Sequence, residues 1–366
     1  MSDSPISSQD QQVQTQDTSA LKIVLLTLAS VLALVTCAVF LYKAWHLYSA
    51  PTARPGFASR VPPRPAVSIE EAFDWADLKL PRQRILSGGP PKDGIPSLTK
   101  PDTVPIAGAP FAPQHRVVGV TVNGESRAYP IAILNHHECV NDELGGAPIA
   151  VIYCPLCDSV SVVDRRLGDK TYEFGISGLL FNSNVLLYDR TDNALRSQVG
   201  LKAVSGPNAG RSLKHLNDWG IVPLEQWQKE HPNSTVLDTR TGHGRRYNAN
   251  PYASYFTSDR LMFPAEPHDD RFRNKAPVVG VQSGGLLRAY PIEYLSALAD
   301  GKLVDTIGES AVELHVDPDS GAVSVVQIPP GAQVVHTFWF AWAAFHPDTQ
   351  VFGPPAGATT QTGGEQ

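Results

Sequence analysis

Part of this chain is a copy of another part, and that narrows its fold more than any other feature. Val117-Val-Gly-Val120 and Arg127-Ala-Tyr-Pro-Ile131 recur 161 residues on (278 minus 117) as Val278-Val-Gly-Val281 and Arg288-Ala-Tyr-Pro-Ile292. Leu134 recurs as Leu295, and Ile149 to Val163 loosely matches Glu313 to Val326. Trp227 with His231-Pro-Asn-Ser234 resembles Trp342 with His346-Pro-Asp-Thr349, now 115 residues on (342 minus 227). The falling offset means that about 46 residues are present in the first copy and missing from the second. In each copy the Val-Val-Gly-Val and Arg-Ala-Tyr-Pro runs flank Asn123-Gly124 or Gly284-Gly285, the pattern of a β-hairpin. The Pro that ends the second run opens a helix, where its missing N–H costs nothing. Ala147 to Tyr153 then reads as a buried strand with Cys154 at its end. We therefore expect a β-dominated α+β fold made of two homologous repeat units, residues 67–256 and a degenerate 257–352.

The ends of the chain differ in kind from this body. Residues 1–20 are nearly all Ser, Gln, Asp and Thr and are expected to form a disordered tail, as are residues 353–366. Residues 21–43 include twenty uncharged residues from Ile23 to Tyr42, enough to cross a bilayer core as one transmembrane helix. The run exceeds the usual length of a signal peptide and lacks a small-residue cleavage site. Residues 44–66 are a Pro-rich linker. Lys43, Arg54, Arg60 and Arg64 follow the apolar run, and taken alone they place the domain on the cytoplasmic side. Ser68 to Leu80 reads as one short capped helix, and the turn-rich Ser87-Gly-Gly-Pro-Pro-Lys-Asp-Gly-Ile-Pro96 as a packed loop rather than one wall of a pocket.

The net charge of −6 and scattered Lys and Arg give no footprint for nucleic acid. Gly206-Pro-Asn-Ala-Gly210 is too unlike a P-loop to suggest a nucleotide cofactor. The chemistry is concentrated in Asn135-His-His-Glu-Cys-Val-Asn-Asp142 and Tyr153-Cys-Pro-Leu-Cys157. The second copy lacks these groups. His136, His137 and Glu138 fall on Ala297, Leu298 and Ala299, and Cys154 and Cys157 fall on Asp317 and Ser320. A purely structural role would call for them in both copies, so the difference points to function. Two thiolates and an imidazole suit zinc or copper, with Cys154, Cys157 and His137 as ligands, Cys139, His136 or Glu138 as a fourth, and Glu138 otherwise as a proton-transfer group. The alternative is a thiol-disulfide pair, Cys154 with Cys157, for which Cys139 would be a resolving thiol. Because Ser159 to Asp164 alternates like a strand, neither cysteine of the pair opens a helix. The segment missing from the second copy holds two strand-like runs and a set of polar residues, Asn182, Asn184, Asp189, Arg190, Ser197 and Gln198. These are candidate walls of a polar pocket for a small molecule or protein partner, and a non-catalytic binding module is the third reading.

Ser87-Gly-Gly-Pro-Pro-Lys-Asp-Gly-Ile-Pro, Leu134-Asn-His-His-Glu, Val140-Asn-Asp, Tyr153-Cys-Pro-Leu-Cys, Phe174-Gly-Ile-Ser-Gly-Leu-Leu, Tyr188-Asp-Arg and Pro251-Tyr252 occur in that order. Together they resemble the bacterial domain-of-unknown-function family numbered 3179, over about residues 84 to 256. The resemblance implies a domain often exported or membrane-tethered, hence an extracytoplasmic domain on a single-pass anchor, against the flanking charges. It implies no reaction. The chain departs from the family pattern at Asp158, where Gly is usual, at Arg196, where Trp is usual, and at Cys139, where an apolar residue is usual.

Overall fold

The computed structural model describes residues 68–298, 300–317 and 321–353. The expected tail 1–20, membrane helix 21–43 and linker 44–66, with residues 354–366, lie outside the described residues. Among the described residues no helix is long and apolar enough to cross a membrane.

Strand outweighs helix throughout, and most strands belong to two eight-stranded sheets. Each sheet mixes both halves of the chain. One runs Lys302–Ile307, Ser310–Val316, Val323–Gln327, Trp219–Pro223, Arg116–Val122, Glu125–Pro130, Thr235–Leu237 and Thr103–Pro105. The other runs Leu98–Thr99, Cys139–Leu144, Ala147–Cys154, Ser159–Asp164, Gln333–Phe338, Pro277–Ser283, Leu286–Pro291 and Gln350–Val351. Seven strands of each therefore read as a three-strand meander, one lone strand, a hairpin and a short parallel strand, the eighth being Thr103–Pro105 beside the parallel strand in one sheet and Leu98–Thr99 beside the meander in the other; the meander and the hairpin of each sheet come from opposite halves. One core joins the sheets, with Val118, Val120 and Tyr129 from the first meeting Val151, Tyr153 and Val162 from the second.

The local reasons are the expected ones. Pro130 caps the helix Ile131–His137, and Pro291 caps Ile292–Ser296. A Cβ on Gly119 would fall 2.1 Å from the Trp227 ring, and one on Gly280 would fall 2.2 Å from Trp342, so each glycine lets an indole lie flat on its hairpin. Each indole N–H is then satisfied by a hydroxyl, Ser234 for Trp227 and Thr349 for Trp342.

A smaller sheet forms a third layer, added to the two large ones. Its hairpin, Phe174–Phe181 and Asn184–Asp189, turns at Asn182 and Ser183, both left-handed (φ 49° and 62°), as a two-residue hairpin loop requires. Leu86–Ser87, Leu195–Ser197 and Lys202–Ala203 complete a five-stranded sheet. Asn141 docks this layer on the second large sheet by mimicking a strand, its amide accepting from Phe174 N–H (2.8 Å) and donating to Phe174 C=O (2.9 Å). The helix expected over Ser68 to Leu80 is shorter. Ser68 caps it by accepting from Glu71 N–H, but it spans only Ile69–Ala72, because Phe73 packs on Tyr188 and Asp74 bridges to Ala194.

Candidate functional site

Ala147–Cys154 is buried on both faces, and the two-residue strand period sorts its side chains. Ile149, Val151 and Tyr153 face the core between the large sheets, while Ala150, Ile152 and Cys154 face the added layer. The Cys154-Pro-Leu-Cys157 turn follows, closed by Cys157 N–H on Cys154 C=O at 3.2 Å. Asp158 then takes a left-handed φ of 44°, which explains why Gly suits this position. Here Asp is held there by Arg116 (3.0 Å), by the Tyr153 hydroxyl (2.9 Å) and by its own carbonyl, 3.0 Å from His336 Nδ1. The turn is braced rather than weakened by the departure from Gly.

Both sulfurs converge beneath the tip of the added hairpin. Cys157 Sγ lies 3.3 Å from Ser183 C=O and Cys154 Sγ 4.0 Å from it, and the two side chains are within hydrogen-bonding reach of each other. Their environments split them. Burial raises the Cys154 thiol, but the Cys157 S–H and the backbone N–H groups of Val185, Cys157 and Leu156 outweigh it and hold Cys154 below its ordinary value. Burial and the adjacent Cys154 sulfur push Cys157 well up. The two sulfurs are thus pushed in opposite directions, Cys154 toward the thiolate and Cys157 toward the thiol.

Cys154 also forms part of the wall of a cavity of about 130 Å³, together with Leu156, Ile95, Ile176, Leu180, Val185 and Phe263. Glu138 shares that wall. It ends the helix Ile131–His137 in a left-handed conformation (φ 58°), its N–H on Leu134 C=O and its own carbonyl accepting Tyr153 N–H at 2.7 Å. A bulky residue in this region of backbone space is uncommon and clusters at functional sites. Among the described residues the Glu138 carboxyl has no hydrogen-bond or ion-pair partner. Burial, and then the Cys154 charge, hold it protonated well above the usual carboxylate range.

The remaining candidates are placed elsewhere. Both His137 nitrogens are engaged, Nδ1 with Pro96 C=O (2.7 Å) and Nε2 with the Tyr247 hydroxyl (2.6 Å), and burial lowers its pKa to about 4. It fastens the loop 87–96 rather than facing the thiols. Cys139 is buried and free, pushed up by burial to about 12, and pairs with neither Cys154 nor Cys157. Among the described residues, no three His, Cys, Asp or Glu side chains gather as a metal-ligand group.

The polar set from the added layer is mostly spent on internal bonds. Asn184 and Gln198 meet Ser159 and each other in a buried network, and Gln198 also donates to Ile152 C=O and Ser159 C=O. Asn182 donates to Glu266 C=O and Ala344 C=O, and Ser197 accepts from Gly200 N–H. Asp189 caps a turn through Thr191 N–H. Arg190 grips Asp93 (2.9 Å) and so pins the turn-rich loop onto the hairpin. That loop is packed, as expected, and it also walls the cavity through Gly88, Pro90 and Ile95. It comes so close that a Cβ on Gly178 would lie 2.0 Å from Pro90 C=O. Arg196 is buried against Phe174, and burial lowers its pKa to about 10.

Sequence reasoning missed Tyr252, Met262 and Phe263 as cavity walls. Pro251-Tyr252 was the available signal; Met262-Phe263 had none. No curated protein and no solved structure matches the chain. A family model described as "Protein of unknown function (DUF3179)" matches residues 92–336, which includes the thiol turn, the added layer and most of both large sheets, and the chain belongs to that family.

Proposed function

We propose that this chain is a thiol redox protein in which Cys154 is the attacking thiolate, Cys157 the resolving thiol and Glu138 the proton donor and acceptor. The observation that carries this reading is the asymmetric pair: one sulfur on the wall of an apolar cavity beside an unpartnered, protonated carboxyl, the other directly behind it. A dithiol that cycles to a disulfide needs one sulfur low in pKa and reachable, and a second close enough to close the bond. We further propose that residues 21–43 anchor the chain in a membrane with the domain on the extracytoplasmic side, where a disulfide persists. The shared strand order of the two large sheets and the paired Gly–Trp contacts support descent from a duplication, the first unit keeping the chemistry and the second serving as scaffold.

The test is a thiol count on the full-length chain, equilibrated in dithiol/disulfide buffers of graded potential. Reversible loss of two thiols, mapped to Cys154 and Cys157, is expected, with Cys139 still free. Retention of all of them across the range sinks the reading. The convergence of two sulfurs also favours a second reading, one zinc or copper ion held by Cys154 and Cys157. Elemental analysis distinguishes it: about one equivalent of metal, removed by chelator and absent from a Cys154→Ser, Cys157→Ser double variant, would favour metal over redox.

A further inference from the structure

We infer that the oxidant this site accepts is a small apolar organic hydroperoxide rather than a disulfide on another protein. This rests on the redox reading above and adds the substrate class. Access is the first ground. Cys154 is 1% exposed and Cys157 is fully buried, whereas a protein disulfide must bring its own sulfur into line with the attacking thiolate. A folded chain cannot do that at a sulfur so buried. What reaches Cys154 must enter about 130 Å³ of mostly apolar space, comparable to the roughly 150 Å³ apolar cavity that takes up benzene. The fitting substrate is a benzene-sized apolar body with its reactive atom at one end.

The leaving group is the second ground. A disulfide releases a thiolate, whose conjugate acid has a pKa near 8.5, and needs little help. A hydroperoxide releases an alkoxide, close to hydroxide in basicity (water, about 15.7), and must be protonated as it leaves. Glu138 shares the cavity wall with Cys154 and has no other partner among the described residues, so its proton is available there.

The chemistry balances. The Cys154 thiolate attacks the terminal oxygen of R–O–OH; an S–O bond forms, the O–O bond breaks, and the departing RO⁻ takes the Glu138 proton to give the alcohol. Cys154 is now a sulfenic acid. The Cys157 thiol then attacks the Cys154 sulfur; the S–S bond forms, the S–O bond breaks, and water leaves with the Cys157 proton. A small dithiol reductant restores the Cys154 thiolate, the Cys157 thiol and the Glu138 proton in two exchange steps, and departs as its own disulfide.

The experiment uses the reduced full-length chain mixed with cumene hydroperoxide, hydrogen peroxide or glutathione disulfide, followed by the rate of Cys154–Cys157 disulfide formation. Cumene hydroperoxide is expected to react at least about tenfold faster than hydrogen peroxide, because only it buries a ring against the apolar walls. In Cys157→Ser the reaction should stop at one sulfenic acid, captured on Cys154 by dimedone. Glu138→Gln, close in shape, should slow the cumene hydroperoxide reaction roughly 100-fold and slow the glutathione disulfide reaction far less, since a thiolate needs little help to leave. A disulfide that forms no faster with cumene hydroperoxide than with the other two overturns the substrate class and leaves the redox reading standing. A disulfide that forms with none of the three overturns both. Equal slowing of both reactions by Glu138→Gln overturns the proton-donor role.

Discussion

Residues 139–164 and 302–327 form the same three-strand meander in opposite sheets, and they live in different surroundings. In the second meander Leu303, Val312, Leu314 and Val316 are buried, whereas the alternate positions face water, with Val304 66% and Val326 55% exposed. It is a sheet covered on one face. In the first meander both faces are covered, because the added hairpin lies over the outer one. The equivalent positions Cys139 and Lys302 show the contrast, the first sealed under Phe174 and Ile176, the second in solvent. A scaffold that folds with one bare face carries no chemistry there. Covering that face creates a dry space, and the thiol pair sits in it.

The sharpest way to break this comparison is at a feature that both meanders share. Asp142 accepts from Arg127 (2.6 Å) and Tyr129, and Asp305 accepts from Arg288 (2.6 Å) and Tyr290 in the same arrangement. The first cluster is drier: the Asp142 side chain is 3% exposed and that of Asp305 is 19%. Asp142→Ala is expected to cost about 3–5 kcal/mol, since it removes the buried partner shared by Arg127 and the Tyr129 hydroxyl and leaves Arg127 only the exposed Glu125 as counter-charge. Asp305→Ala should cost about 1–2 kcal/mol, because water can reach the orphaned groups. Urea denaturation of both variants checks this; equal losses would mean that the drier setting of Asp142, on the face turned to the other large sheet, does not strengthen its cluster.

The paired glycines come next. Gly119→Ala and Gly280→Ala each put a methyl into a buried indole ring, and each should cost about 3 kcal/mol with activity lost only through unfolding. Similar midpoint shifts would support two copies of one scaffold. A large shift for one alone would say that the copies have drifted apart in packing as well as in chemistry.

How much of this was legible follows the same divide. The hairpins, the Pro-capped helices, the strand ending at Cys154 and the added hairpin could all be read, because period-two burial and turn residues are local signals. The role of His137 could not be read. Its spacing from the cysteines suits a ligand, and only the three-dimensional fold brings Pro96 and Tyr247 to its two nitrogens. Asn184 and Gln198 looked like pocket walls because polar residues beside strands are ambiguous until their partners are known, and those partners, Ser159 and Ile152, belong to a different sheet. Glu138 was identified, but its value lies in a cavity closed by Tyr252 and Phe263, 114 and 125 residues further along the chain (252 minus 138, 263 minus 138).

Acid separates the two regions in a third way. Trp227 stacks on His231 and Trp342 packs on His346, but only His346 is covered by the added layer, bonding Val199 C=O (3.1 Å). His215, within the insertion, bonds Val334 C=O. Burial lowers both to about 4, below the ordinary 6.5. The unfolded chain therefore binds protons that the folded chain refuses. This stability is fully present above pH 6.5 and is lost as the pH falls toward 4, by about 2 kcal/mol per histidine at pH 5. His215→Gln and His346→Gln should each flatten the fall in urea midpoint between pH 7 and pH 5. An unchanged slope would remove the insertion as the acid-sensitive part.

The smallest effect is expected at Cys139, where it sharpens the comparison most cleanly. Cys139 shares the outer face of the first meander with Cys154, yet it does not line the cavity and is disulfide-bonded to neither sulfur of the pair. Cys139→Ala removes one buried sulfur and should cost about 1 kcal/mol, the order of one lost methyl-sized contact. The thiol count should fall by one, while the midpoint potential and rate of the Cys154–Cys157 couple stay unchanged. A shifted potential would return Cys139 to the redox site as a resolving thiol. An unchanged one means that being covered by the added layer is not sufficient for chemistry: a sulfur there must also meet the cavity, the backbone amides of the Cys154-Pro-Leu-Cys157 turn and the proton on Glu138.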